Sequence, residues 1–181
     1  EVTENLDKYE LGIAVQKLYD FIWDEFCDWY IELVKPRFAD SGESNITAQQ
    51  VLTYVLSNTL KLLHPFMPFI TEEIWQALPH DGESIMISDF PVYHEEFLNS
   101  DAEQKMTVIM NAIKGIRNIR NEMNVPPSKK TKLFLVTEDK ALFEGAALFL
   151  EKLAGASEVD VIADKSAAPE NSVSVVVDRA E

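Results

Sequence analysis

Cysteine is almost missing from this sequence. Cys27 stands alone among 181 residues, which excludes an intrachain disulfide framework and a cysteine-based metal set. Such usage fits a reducing compartment, so a cytoplasmic location is expected. No apolar run approaches the roughly 18 residues that a bilayer span requires, and Glu1 to Leu6 have neither the basic nor the apolar region of a signal peptide. Neither a membrane protein nor an exported one is expected. Basic residues are scarce too: 16 Lys and Arg stand against 31 Asp and Glu, a formal charge of -15. General attraction of the whole surface to polyphosphate, and DNA binding with it, is excluded as the main activity; any nucleic-acid contact must be a local basic patch. The three histidines, His64, His80 and His94, lie at helix ends or in a connector without metal-ligand spacing, and there is neither a glycine-rich phosphate loop nor a nucleophile elbow. Catalysis within this chain is not expected, and neither is a resident metal or cofactor.

What is present is a folded domain's balance, 46% hydrophobic and 26% charged. From about residue 5 to 34, Leu11, Val15, Leu18, Ile22, Phe26, Trp29 and Leu33 step by three or four, the stripe of a long helix that Pro36 ends. Tyr19, Trp23 and Tyr30 widen its apolar side beyond one partner. Turn residues at 39–45 precede Thr47 and Gln50, which have capping-box spacing, and a helix over 48–63 follows. Pro68 suits the first turn of a third helix ending near Leu78. Residues 80–100 read as a connector with one extended run over Ile85–Ser88.

A fourth helix over 101–124 carries Ile109, Ala112, Ile113, Ile116, Ile119 and Met123 on one face, and Pro126 and Pro127 close it. A β-like run at 132–137 and valine-rich runs at 158–163 and 173–177 flank a helical stretch over 138–154, a small β-α-β-β unit. The expected architecture is mainly α: an antiparallel helical bundle over residues 1–127, then a small α+β subdomain over 128–181.

Residues 105–132 depart from the charge of the whole. They hold seven basic side chains and only Glu122 as an acid, a formal +6 that leaves -21 elsewhere. Lys114, Arg117, Asn118 and Asn121 share one helical face opposite the isoleucines, a surface suited to phosphates and exposed base edges and equally to simple solvation. Lys129 and Lys130 follow it. Arg120 falls in the apolar sector and is expected to be structural, with Asp24 or Asp28 as its partner; those two acids otherwise form a solvated helix face. The aromatics Trp23, Phe26, Trp29 and Tyr30 follow the core stripe, and Trp29 and Tyr30 near the helix end are the candidates for stacking on bases. Beside them Lys35 and Arg37 are placed to meet phosphate or to complement the carbonyl end of the helix.

Three segments, YDFIWDEFCDWYIELVKPRF (19–38), LHPFMPFITEEIWQAL (63–78) and IRNIRNEMNVPPSKK (116–130), together resemble the C-terminal region of valyl-tRNA synthetases. The second is similar across the synthetases for aliphatic amino acids; the first and third look like the valine enzymes in particular. The resemblance implies a helical-bundle anticodon-binding domain with a small α/β extension. Its partners would be the anticodon arm of tRNA-Val and the catalytic domain of the same parent chain, which charges tRNA with valine using ATP and Mg2+. Nothing here resembles the HIGH and KMSKS motifs of that catalytic domain, so the chain alone is expected to be inactive. The family's preceding bundle helix and its following coiled-coil arm are also expected to be missing. The face left by that helix is expected to favour a non-physiological dimer. The rival expectation is a helical scaffold module that meets protein domains without touching RNA.

Overall fold

The protein is described by a computed structural model covering residues 1–39, 41–169, 172–178 and 180–181. It divides into two compact units, Glu1–His94 and Glu95–Glu181. The long basic helix is compact with the second unit.

In the first unit the expected single helix over 5–34 is interrupted. A short helix α1 (Val2–Asp7) stops at Tyr9, whose φ of 59° is left-handed, and α2 (Leu11–Asp20) starts afresh. The chain then winds as a π-helix over Phe21–Ile31 before α3 (Glu32–Val34) and a 3-10 turn over Lys35–Ala39. Wider i→i+5 hydrogen bonding lets aromatics five and four apart stack: Phe21 on Phe26 at 6.3 Å, and Phe26 on Tyr30 at 5.9 Å. Leu18, Phe26, Trp29 and Leu33 of the apolar stripe are buried, but its first members Leu11 and Val15 are exposed, and so are Tyr19 and Trp23.

Helix α4 (Glu43–Leu63) begins five residues before the sequence pattern places it. Its first turn is braced from outside: Arg37 donates to the Ser44 hydroxyl and carbonyl, both at 2.9 Å, and Asn45 donates to the Phe38 carbonyl at 3.0 Å. Thr47 is therefore no cap. Its hydroxyl donates back to the Glu43 carbonyl at 3.0 Å, an interior habit of threonine. Helix α5 (Pro68–Gln76) starts with Pro68 in its first turn as expected. The fully buried Thr71 donates to the Met67 carbonyl at 2.8 Å and lies 2.7 Å from His64 Nδ1.

Leu60, Trp75 and Ile85 form the core where the connector returns, and Trp75 lies 3.9 Å, centroid to centroid, from the His80 ring. The expected extended run at 85–88 is instead a 3-10 turn, Ile85–Ile87, because Glu72 gathers it. The Glu72 carboxylate accepts from Gln76 at 2.7 Å, from the Ser84 hydroxyl at 2.8 Å and from the Ile85 amide at 3.2 Å.

Hydrogen bonds from Gln76 and Ser84 hold the Glu72 carboxyl below the usual carboxylate range, against a smaller effect of desolvation. A depressed folded value means that the contribution is present above the unfolded pKa of about 4.3 and is lost as pH falls through the folded one. Amide-exchange protection at Ile85 should therefore decline in acid below about pH 4. In Glu72→Gln that decline should vanish, and an unchanged acid profile would count against this anchor.

In the second unit α6 (Ser100–Glu122) buries Ile109, Ala112, Ile113 and Ile116. It ends in a Schellman motif: the Val125 amide donates to the Arg120 carbonyl at 2.9 Å and the Asn124 amide to Asn121 at 3.0 Å, with Asn124 left-handed at φ 53°. Only glycine and asparagine take this conformation readily. Asn124→Val is expected to cost about 1–2 kcal/mol and Asn124→Gly nothing or less than nothing, as urea midpoints would register.

Strands β1 (Thr131–Val136) and β2 (Ala156–Ile162) pair in parallel, with α7 (Lys140–Gly145) and α8 (Ala147–Leu153) forming the crossover that parallel pairing requires. Phe143 and Leu150 are fully buried under it. The third strand expected at 173–177 is not formed. Val173 and Val176 are exposed, and the end of β1 is instead taken by Glu181, which exchanges backbone hydrogen bonds with Val136 at 2.8 and 3.0 Å. Valine favours a strand only where an edge and a neighbouring face receive it. Val177 packs against α6, where a Cβ on Gly115 would lie 3.0 Å from its methyl.

Candidate nucleic-acid interface

The α6 face comes from helical spacing. Positions 114, 117, 118 and 121 are related by three, four and seven residues, and all four are exposed in the structure, opposite the buried isoleucines. Tertiary contacts then extend it. The Arg117 Nε donates to the Leu153 carbonyl at 2.7 Å, which brings the end of α8 and exposed Lys152 alongside α6.

The Arg120 guanidinium takes three neutral oxygens of the following turn: the Thr131 hydroxyl at 2.8 Å, the Lys129 carbonyl at 2.6 Å and the Pro126 carbonyl at 3.4 Å. It fills the space above Gly155, where a Cβ would lie 3.2 Å from Nη2, and φ there is +70°. Its described partners are thus carbonyl and hydroxyl groups of its own unit. The reason is local: the Schellman turn folds residues 126–131 back under the arginine. Lys129 and Lys130 are left exposed on that turn. Two other cations of the basic segment are engaged elsewhere, Lys132 with Glu158 and Asp160 at 3.1 and 2.7 Å, and Lys105 with Asp101 at 2.5 Å.

The aromatic candidates of the first unit separate. Trp29 is 8% exposed and belongs to the core, which removes it as an open stacking surface. Tyr30 is half-buried against Phe26, and burial pushes its phenol up while the Arg37 charge opposes. Lys35 is ion-paired with Glu32, and Arg37 is spent on Ser44. On the same helical segment the exposed aromatics are Tyr19 and Trp23, 6.2 Å apart and tilted. Their exposure has no sequence signal, since by spacing they flank the core stripe. Among the described residues no group of three His, Cys, Asp or Glu side chains is placed to hold a metal, and no helix is long and apolar enough to cross a membrane.

This exposed cationic and amide-bearing helix face lies inside the span of a known family. A family model described as the anticodon-binding domain of tRNA ligase matches residues 1–135. The chain belongs to that family. Its match carries the anticodon-binding domain through both units as far as β1. Relatives agree in name: the chain is 53% identical over 184 residues to a valine–tRNA ligase of Clostridium acetobutylicum, covering 100% of this chain and 21% of that protein. It is 53% identical to that of Carboxydothermus hydrogenoformans over 141 residues, 78% of this chain and 16% of the relative. It is 42% identical to that of Bacillus anthracis over 184 residues, 99% of this chain and 21% of the relative. The chain thus spans about a fifth of the length of the ligases it matches in full.

Proposed function

We propose that this domain docks the anticodon arm of tRNA-Val as part of a valine–tRNA ligase, fixing the RNA by its phosphates and reading unstacked bases through polar groups. The observation that carries the reading is the coincidence of the family match with the one strongly basic segment of an acidic chain, exposed along α6. Lys114 and Arg117 meet phosphate, Asn118 and Asn121 face base edges, and Lys129 and Lys130 extend the track. Valine activation with ATP and Mg2+ and transfer to tRNA belong to the catalytic domain of the parent enzyme, in the cytoplasm. Binding of tRNA-Val and of a tRNA with an altered anticodon, followed across a salt series, tests the reading. Preference for tRNA-Val that weakens with salt is expected; equal, salt-insensitive binding would favour the scaffold module.

A second reading is favoured by the exposure of Leu11, Val15, Tyr19 and Trp23 at successive steps of four along the chain. This ridge pairs two copies of the chain when nothing else covers it. Sedimentation is expected to show association that rises with concentration and falls in Trp23→Lys; a monomer at every concentration removes it.

A further inference from the structure

Five exposed cations of the second unit come from three segments of chain: Lys114 and Arg117 from α6, Lys129 and Lys130 from the turn after it, and Lys152 from the end of α8. Two arginines join these segments, and both do so by the same device. Arg117 donates to the carbonyl of Leu153, and Arg120 to the carbonyls of Lys129 and Pro126. A phosphate approaching this surface would otherwise meet those oxygens. The last carbonyls of a helix carry the negative end of its dipole, and a turn rich in outward carbonyls repels an anion in the same way. With the oxygens turned inward onto guanidinium groups, the outer surface presents ammonium groups at Lys129, Lys130 and Lys152, all exposed. The acids nearest in sequence are Glu122 and Glu151, so these five cations together with Arg120 remain in clear excess.

We infer that Lys129, Lys130 and Lys152 form an RNA-backbone cradle on the second unit, with Arg120 the positioning residue that masks the turn's carbonyls and aims the two lysines outward. The inference rests on the tRNA-binding reading and assigns the part of that binding that carries no sequence information. Arg120 does its work through a fork: one planar guanidinium spans the Thr131 hydroxyl and two carbonyls, and a lysine, with a single ammonium, does not reproduce that geometry. Lys152 enters only through tertiary structure, 35 residues beyond Arg117 in the chain. Phosphate contacts position an RNA without discriminating bases, so the cradle binds any tRNA that fits the arm.

The test uses the whole chain with two probes, tRNA-Val and tRNA-Val carrying a changed anticodon, in a salt titration. Lys152→Gln and the pair Lys129→Gln/Lys130→Gln should weaken both probes by the same factor, about threefold to tenfold per charge, and lower the salt slope by about one per charge. The ratio between the probes should not move. Arg120→Lys, which keeps the charge, should weaken binding as the lysine pair does, and should add nothing in the background of that pair. Unchanged affinity and slope in both lysine variants, with the parent chain binding normally, overturns the cradle while leaving the anticodon reading in place. Loss confined to tRNA-Val makes these residues base readers and overturns it as well. Failure of the unmodified chain to bind either probe overturns both readings together. If Arg120→Lys lowers the urea midpoint with no change in affinity, the arginine is structural only; if that variant does not fold, the lysine variants, which alter exposed side chains, still decide the cradle.

Discussion

Phe143→Ala should destabilise the second unit by about 3–5 kcal/mol, the largest effect expected of any single substitution in this chain. Phe143 is 0% exposed and sits on α7, the first of two short helices that cross from β1 to β2. Six and seven residues respectively, these helices are too short to be stable alone and depend on tertiary packing. A two-stranded parallel sheet is in the same position, since such strands are stable only when their faces are covered. Removing the ring takes out the side chain on which both dependencies meet and leaves a cavity that the close packing of an interior fills only in part. Urea denaturation followed by circular dichroism measures the loss. Residue-resolved hydrogen exchange should place it at 131–162, with Phe143→Leu recovering most of the midpoint. A change under 1 kcal/mol would mean that the crossover is held from elsewhere.

The elements that the sequence pattern locates well are those whose determinants are local. Pro68 in the first turn of α5, the isoleucine face of α6 and the strand β1 each follow from a few neighbouring residues. The failures are those in which a distant group decides. Helix α4 starts early because Arg37, on another element, holds Ser44. Residues 85–87 turn because Glu72 gathers them, and Val173–Val177 stays out of the sheet because Glu181 occupies the end of β1. The α6 face is legible for the same local reason, since positions 114, 117, 118 and 121 are co-facial in any α-helix. Trp29 offers no open surface, and its place near a helix end carries no information about what packs over it. The carbonyls that Arg120 meets are not legible, because backbone oxygens leave no trace in a sequence. Lys152 is invisible to sequence reasoning, being joined to the basic face only through the carbonyl of the residue after it.

Reversing two charges on the α6 face, Lys114→Glu with Arg117→Glu, should weaken tRNA binding by about 10- to 100-fold at ~0.1 M salt and flatten the log–log salt dependence by roughly 1.5–2. The flattening is the more diagnostic quantity. A cation that no longer neutralises a phosphate no longer releases nearly one counterion on binding, whereas a partly unfolded variant has its affinity scaled by the folded fraction and keeps the parent slope. The two positions are not equivalent. Arg117 donates to the Leu153 carbonyl at 2.7 Å, so its reversal removes a helix-end cap and places a carboxylate beside the negative end of α8. Arg117→Glu should therefore lower the urea midpoint by about 1 kcal/mol. Arg117→Gln separates the effects by removing charge without adding the repulsion. If binding tracks the charge and not the midpoint across these variants, the face acts through phosphate; if it tracks the midpoint, α6 serves the RNA only by holding the second unit together.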